Sequence, residues 1–155
     1  MNSNLEQQLD TKLRIPESAW VVDDHPDEQE MQILRKHLGE YNAAAANSRE
    51  DWRLALFLHD EQGNMIGGIC GRFWGECLEI DSLWVEENWR GQGIGKRLLQ
   101  TLETEAISRG CRQITLTTFS FQAPEFYQKL GYHVFGVIGG FGKGHQKFYL
   151  QKRIE

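Results

Sequence analysis

The sequence predicts one mixed α/β (α+β) domain. Its central sheet opens with an antiparallel N-terminal meander, continues through a βαβ crossover, and carries helices on both faces. Three observations predict it. Between residues 51 and 85, three strand-like stretches follow one another across short turns, the pattern of a meander. The third runs into a glycine-rich turn and a helix-period segment, and a further strand follows that helix. Such a connection returns the chain parallel to its start. With 155 residues the chain is long enough for one real core and too short for two.

Taken in order, residues 1–17 are polar with Leu5, Leu9 and Leu13 four apart, and are expected to be a partly ordered extension to the domain at 18–155. Trp20 to Asp23 reads as a first strand. Asp27 is placed to cap a helix that runs to about Ala46, with Met31, Leu34, Leu38, Tyr41 and Ala45 on one stripe. Gly39 weakens that helix and is a point where it could divide. Leu54 to Leu58 is a strand, Asp60 to Asn64 is turn chemistry, and Met65 to Trp74 returns as a second strand. Gly75 turns the chain into the strand Leu78 to Val85. Ile94, Leu98, Leu99, Leu102 and Ala106 have helical spacing up to Arg109, and Gly110 stands at the C′ position. Gln113 to Thr118 is a strand. Ser120 to Lys129 holds a short helix with Pro124 in its first turn. Tyr132 to Val137 and Gln146 to Arg153 are the last strands, with a flexible loop at Gly139–Gly144.

Composition narrows the function. A net charge of −5 argues against a general nucleic-acid binder. No apolar run reaches membrane-spanning length, so no membrane partner is expected. The start lacks the basic and apolar regions of a signal peptide. Three cysteines without a Cys-x-x-Cys pair fit reduced thiols in a cytoplasmic protein. Five scattered histidines form no metal-ligand pattern, so no metal is expected.

The chemistry gathers at Arg90-Gly-Gln-Gly-Ile-Gly-Lys-Arg97. Glycines where a strand ends and a helix begins expose backbone N–H groups to an anion, and Arg90, Lys96 and Arg97 add positive charge. The spacing excludes two common phosphate loops. A Walker A loop requires glycine where Arg90 stands and Ser/Thr where Arg97 stands. A dinucleotide fingerprint fits Gly91 and Gly93 but meets Lys96 at its third glycine. The pattern present is Arg-x-x-Gly-x-Gly, carried by Arg90, Gly93 and Gly95. It resembles the coenzyme A loop of the GCN5-related N-acetyltransferase (GNAT) superfamily. A second segment, Ala123-Pro-Glu-Phe-Tyr-Gln-Lys-Leu-Gly-Tyr132, resembles the family's Ala-x-x-Phe-Tyr-x-x-x-Gly-Phe/Tyr signature, and small bacterial members share this run. The resemblance covers roughly Trp20 to Arg153 and implies the GNAT fold.

It also implies an acetyl-CoA-dependent N-acetyltransferase that moves an acetyl group directly to an amine of a small molecule or peptide, through a ternary complex. No cysteine sits beside a base as a nucleophile would. Acetyl-CoA is the implied co-substrate. Its diphosphate is expected on the N–H groups from Gln92 to Lys96, with Gly91, Gly93, Ile94 and Gly95 in the cradle. Arg90 either contacts phosphate or fixes the turn. The pantetheine arm is expected along Leu83, Trp84 and Val85, with the Val85 N–H as donor to the thioester oxygen. Trp84, pointing opposite to Leu83 and Val85, is expected to pack under a helix. Tyr127 matches the family tyrosine that protonates the departing thiolate; a phenol of pKa about 10 suits an alkyl thiolate of similar basicity. Glu79 is the first candidate base, with Asp81, a water or bulk exchange as alternatives and His145 and Glu125 behind them. Many members carry asparagine where this chain has Ser120, so Ser120 or Gln122 takes the pantetheine contact. The acceptor site is expected from the first helix, the Phe73–Gly75 turn and the Gly139–His145 loop. A homodimer is expected by the same resemblance. The rival reading is a non-catalytic acyl-CoA-binding sensor or regulatory module, which would keep the loop without needing Tyr127.

Overall fold

The computed structural model describes residues 16–46 and 53–154. The expected extension therefore lies, save for Pro16 and Glu17, outside the described residues. Two compact units divide between Leu38 and Gly39.

In the first unit, Trp20 to Asp23 joins no ladder among the described residues, which corrects the expected first strand. Strand-like residue types do not make a strand without a partner to take their backbone hydrogen bonds. Helix α1, Glu28–Ala46, begins after Asp27, whose Oδ1 accepts the Gln29 N–H at 2.6 Å. It runs unbroken through Gly39.

The second unit is built on a six-stranded mixed sheet: β1 (Arg53–His59), β2 (Met65–Trp74), β3 (Cys77–Val85), β4 (Gln113–Phe119), β5 (His133–Phe141) and β6 (His145–Arg153). The spatial order is β1-β2-β3-β4-β6-β5. Only β3 and β4 are parallel, and the other neighbours are antiparallel. The meander and the crossover are both as expected. Helix α2, Ile94–Ser108, is that crossover, and it buries Leu98, Leu99, Leu102 and Ala106. They join Ile69, Leu78, Ile80, Ile114, Leu116 and Leu150 in one core. Helix α3, Pro124–Lys129, adds Tyr127 to it.

Two irregularities shape the sheet. Between β2 and β3, Cys70 pairs with Ser82 but Gly71 pairs with Ile80, so Asp81 is an extra residue. This bulge reverses the alternation. Leu78 and Ile80 are buried before it, and Leu83 and Val85 pack on the core after it. Glycine is required on the opposing strand, because a Cβ at Gly71 would lie 2.5 Å from the Glu79 carbonyl oxygen. The second irregularity lies near the tip of β5. The first half of the expected flexible loop at Gly139–Gly144 is strand: β5 continues to Phe141, which pairs with His145, and a short 3₁₀ turn at Gly142–Gly144 makes up the rest. Ring packing of Phe141 on Phe119, centroids 5.0 Å apart, helps hold this glycine-rich strand in place despite its weak propensity.

Candidate active site

β3 and β4 part company beyond the bulge. Their parallel pairing spans Cys77↔Gln113 to Ile80↔Leu116, and among the described residues it goes no further. Yet β3 stays paired to β2 as far as Val85, and β4 stays paired to β6 as far as Phe119. The result is a wedge in mid-sheet, walled by the inner edges of Ser82–Val85 and Thr117–Phe119. Backbone groups on such edges are free to pair with an extended ligand, as at any sheet edge.

The glycine loop closes the wide end of the β3 wall. A 3₁₀ turn at Glu87–Trp89 follows Glu86, whose carboxylate accepts the Asn88 N–H at 3.0 Å. Arg90 then donates from Nε to the Val85 carbonyl at 2.9 Å, so this side chain ties the loop to the strand end. Gln92 donates to the Asn88 carbonyl at 3.2 Å. Gly93 sits at φ +81° as the first cap of α2, a left-handed conformation that glycine adopts without strain. Among the described residues no side chain caps this helix end. The Arg97 N–H is bonded to the Gly93 carbonyl, so the N–H groups of Gly93, Ile94, Gly95 and Lys96 are the ones left without an intrahelical acceptor. Such N–H groups, with the positive end of the helix dipole behind them, have the chemistry to meet an anion.

Helix α3 abuts the same corner. The Phe126 ring is 3.6 Å from where a Cβ on Gly95 would stand, and Val85 is 3.8 Å from it. Tyr127 is buried between edge-on rings of Phe126 and Tyr132, at centroid distances of 5.0 and 5.9 Å. Burial pushes its phenol above the ordinary value of 10.0, so the hydroxyl is held protonated. Among the described residues that hydroxyl makes no hydrogen bond, and no buried polar side-chain atom there lacks one, so it opens to solvent.

The other expected residues separate into groups. Glu79 and Asp81 are both exposed on the sheet face away from α2. Asp81 is engaged by Arg72 through two contacts of 3.1 and 2.9 Å. Cross-strand opposite charges signal such a pair only once the register is known, so the sequence alone did not point to it. Ser120 and Gln122 are both committed to the end of β4. Gln122 Oε1 accepts from Thr118 Oγ1 at 3.1 Å and the Phe119 N–H at 2.8 Å. Ser120 Oγ accepts the Gln146 N–H at 3.2 Å and lies 3.3 Å from His145 Nδ1.

The expectations for Trp84 and for the Phe73–Gly75 turn are corrected. Trp84 is 46% exposed rather than packed away, on the strand face opposite Leu83 and Val85. Trp74 pairs with Cys77 at the other end of β3, about 26 Å of extended chain from Val85. It lines a cavity of about 490 Å³ with Glu76, Arg112 and Arg153, so the Phe73–Gly75 turn is remote from the wedge.

Comparison with known proteins accords with this architecture. The profile of the acetyltransferase (GNAT) family matches residues 14–132. Blasticidin-S acetyltransferase of Streptomyces morookaense is 35% identical over 101 residues, 64% of this chain and 74% of that protein. The crystal structure of an acetyltransferase from Bacillus cereus is 34% identical, with a TM-score of 0.70 over 88% of this chain and 99% of that one. An aminoglycoside 6′-N-acetyltransferase complexed with coenzyme A is 27% identical, with a TM-score of 0.59 over 66% of this chain and 73% of that one.

Proposed function

Because the chain belongs to the acetyltransferase (GNAT) family, we propose that it is an acetyl-CoA-dependent N-acetyltransferase acting directly on an amine of a small molecule or peptide. The observation that carries this reading is the wedge between β3 and β4, with an uncapped helix N-terminus at its mouth. Coenzyme A offers matching chemistry: an amide-bearing arm that can pair with a strand edge, and a diphosphate that suits four free N–H groups. The relative complexed with coenzyme A supports the same ligand, and the blasticidin-S relative supports a small-molecule acceptor.

In this reading Leu83, Trp84 and Val85 bind the arm through main-chain atoms. The Val85 N–H faces the thioester oxygen and stabilises the charge that grows there. Gln92 to Lys96 hold the diphosphate. Arg90 orients the loop by its bond to Val85. Tyr127, kept protonated by burial, delivers its proton to the thiolate. The acceptor enters on the side of the β5–β6 turn. The edge strand β5, with exposed Phe135, Val137 and Ile138, is the proposed face for a homodimer.

The test is calorimetric titration of the purified protein with acetyl-CoA and with CoA. It is followed by thiol-release assays on blasticidin S, kanamycin, spermidine and an N-terminal peptide, with the product's acetyl position read by mass spectrometry. Binding together with an N-acetyl product is the expected result. Binding without turnover of any amine favours a sensor module, and no binding removes the reading altogether.

A further inference from the structure

We infer that His145, oriented by Ser120, is the general base that takes the proton from the acceptor ammonium. The inference rests on the proposed thioester site at Val85.

Distance decides against the residue that sequence position favours. Glu79 lies where β3 still pairs with β4, opposite Thr115, before the strands separate. Six residues of extended chain, about 20 Å, divide it from Val85. A base must come within hydrogen-bond reach of the proton it removes, directly or through one water. Asp81 is nearer but already engaged by Arg72. Across the wedge the outcome differs. Continuing the β3–β4 register past the one-residue bulge brings Val85 level with Ser120, the first residue beyond β4.

Ser120 is fastened to β6 twice. Its N–H donates to the Gln146 carbonyl at 2.8 Å, and its Oγ accepts the Gln146 N–H at 3.2 Å. His145 Nδ1 stands 3.3 Å from the same oxygen. The His145 backbone N–H is bonded to the Gly142 carbonyl, and the Phe121 ring meets the imidazole edge-on at 4.8 Å. The imidazole is thus contacted by Ser120 and Phe121 on a backbone fixed at Gly142, and the residue is half-buried. Ser120 Oγ has a second lone pair to accept the Nδ1 proton, which leaves the Nε2 lone pair available as a base. Ser120 is a positioning residue in this arrangement. The residues facing the imidazole from the end of β4, Ser120 and Phe121, carry no charge; the charged neighbours on its own hairpin are Lys143 and Lys147.

The step balances. The ammonium gives one proton to Nε2, which passes it to solvent. The amine lone pair forms the C–N bond at the thioester carbonyl, and the C–S bond breaks with its electron pair on sulfur. Tyr127 protonates that thiolate. The tyrosinate recovers a proton from the new amide nitrogen, so each turnover releases one proton.

The experiment compares wild type, His145→Gln and Glu79→Gln with the amine from the panel above that gives the fastest thiol release. The expected result is wild-type acetyl-CoA affinity in both variants. In His145→Gln, kcat should fall on the order of 10²-fold, kcat/KM should lose the acid limb of its pH profile, and added imidazole should partly restore the rate. Glu79→Gln should keep the limb. A His145→Gln enzyme with the wild-type rate and limb overturns the inference while leaving the proposed function intact. Wild-type protein that binds no acetyl-CoA, or acetylates none of the amines, removes the proposed function and this step with it. A readout without substitution guards against a misfolded variant. The NMR titration midpoint of the His145 imidazole in wild type must coincide with the kinetic limb, and a different midpoint overturns the assignment.

Discussion

Gly93 and Tyr127 are where the proposed chemistry is most exposed to single substitutions. At Gly93 an added Cβ meets nothing within 4 Å. A carboxylate beside a helix N-terminus is favourable to the helix. Gly93→Asp should therefore leave the fold standing, at the cost of some strain at φ +81°, while setting negative charge against the diphosphate. The expected outcome is a folded protein by circular dichroism with no calorimetric binding of acetyl-CoA; undiminished affinity would remove the loop from the site. Tyr127→Phe keeps the ring in the core and removes the proton. Turnover should drop on the order of 10²- to 10⁴-fold if the phenol is the sole acid, with cofactor affinity unchanged. The pH dependence follows from burial. A phenol raised above its ordinary value stays protonated as pH climbs through 10.0, so any loss of kcat from its ionisation must fall above that pH. An alkaline limb well below pH 10 that disappears in Tyr127→Phe would refute this account of its environment.

Among the elements, β3 carries most of the consequence, and its bulge is the device. By admitting Asp81 as an extra residue it turns Leu83 and Val85 onto the core, just where the partner strand on the other side is lost. Gly71 makes this possible by leaving room for the Glu79 carbonyl. Gly71→Ala would place a Cβ 2.5 Å from that oxygen, and backbone cannot swing aside as a side-chain tip can. A loss of about 1–3 kcal/mol is expected from such overpacking, read by urea denaturation, together with weaker acetyl-CoA binding because the strand wall shifts. Wild-type stability would mean that the β2–β3 register relaxes without cost. Neither the bulge nor the wedge was legible from the run Leu78 to Val85. A bulge is a difference between two strands, and one strand's residues do not state its partner's register.

Across the whole molecule, a buried polar network joins elements far apart in the chain. The Tyr132 hydroxyl donates to Glu103 Oε1 at 2.8 Å, and Lys152 Nζ donates to Oε2 at 2.9 Å, linking α2, the segment after α3, and β6. Burial and the neighbouring Glu103 carboxylate keep the Tyr132 phenol protonated far above its ordinary range. The folded chain thus holds a proton that the unfolded chain releases near its ordinary value of 10.0. This contribution to stability is full below that pH and declines as pH rises through it, by about 1.4 kcal/mol per pH unit for one proton. Tyr132→Phe should cost about 1–3 kcal/mol at neutral pH, since Glu103 keeps its burial and loses a donor. It should also flatten the alkaline decline in chemical-denaturation series, and an equally steep decline in the variant would place the responsible group elsewhere.

What the sequence by itself determined is local and periodic. The helical spacing from Ile94 to Ala106, the strand content from Leu54 to Val85, the glycine loop and the Phe126-Tyr127 segment are set by interactions within one element, and all stand at or within a few residues of their expected positions. The tertiary structure alone decided what depends on a neighbour. Trp20 to Asp23 has strand residues but no ladder among the described residues, and Gly139–Phe141 has loop residues but a pairing strand and a ring to pack on. Trp74 and Trp84 were placed by register, not by residue type. The meeting of Ser120 with His145, twenty-five residues apart, needed β4 and β6 to lie side by side. Local preference is worth tenths of a kcal/mol per residue, whereas pairing and burial are worth more and act between distant parts of the chain.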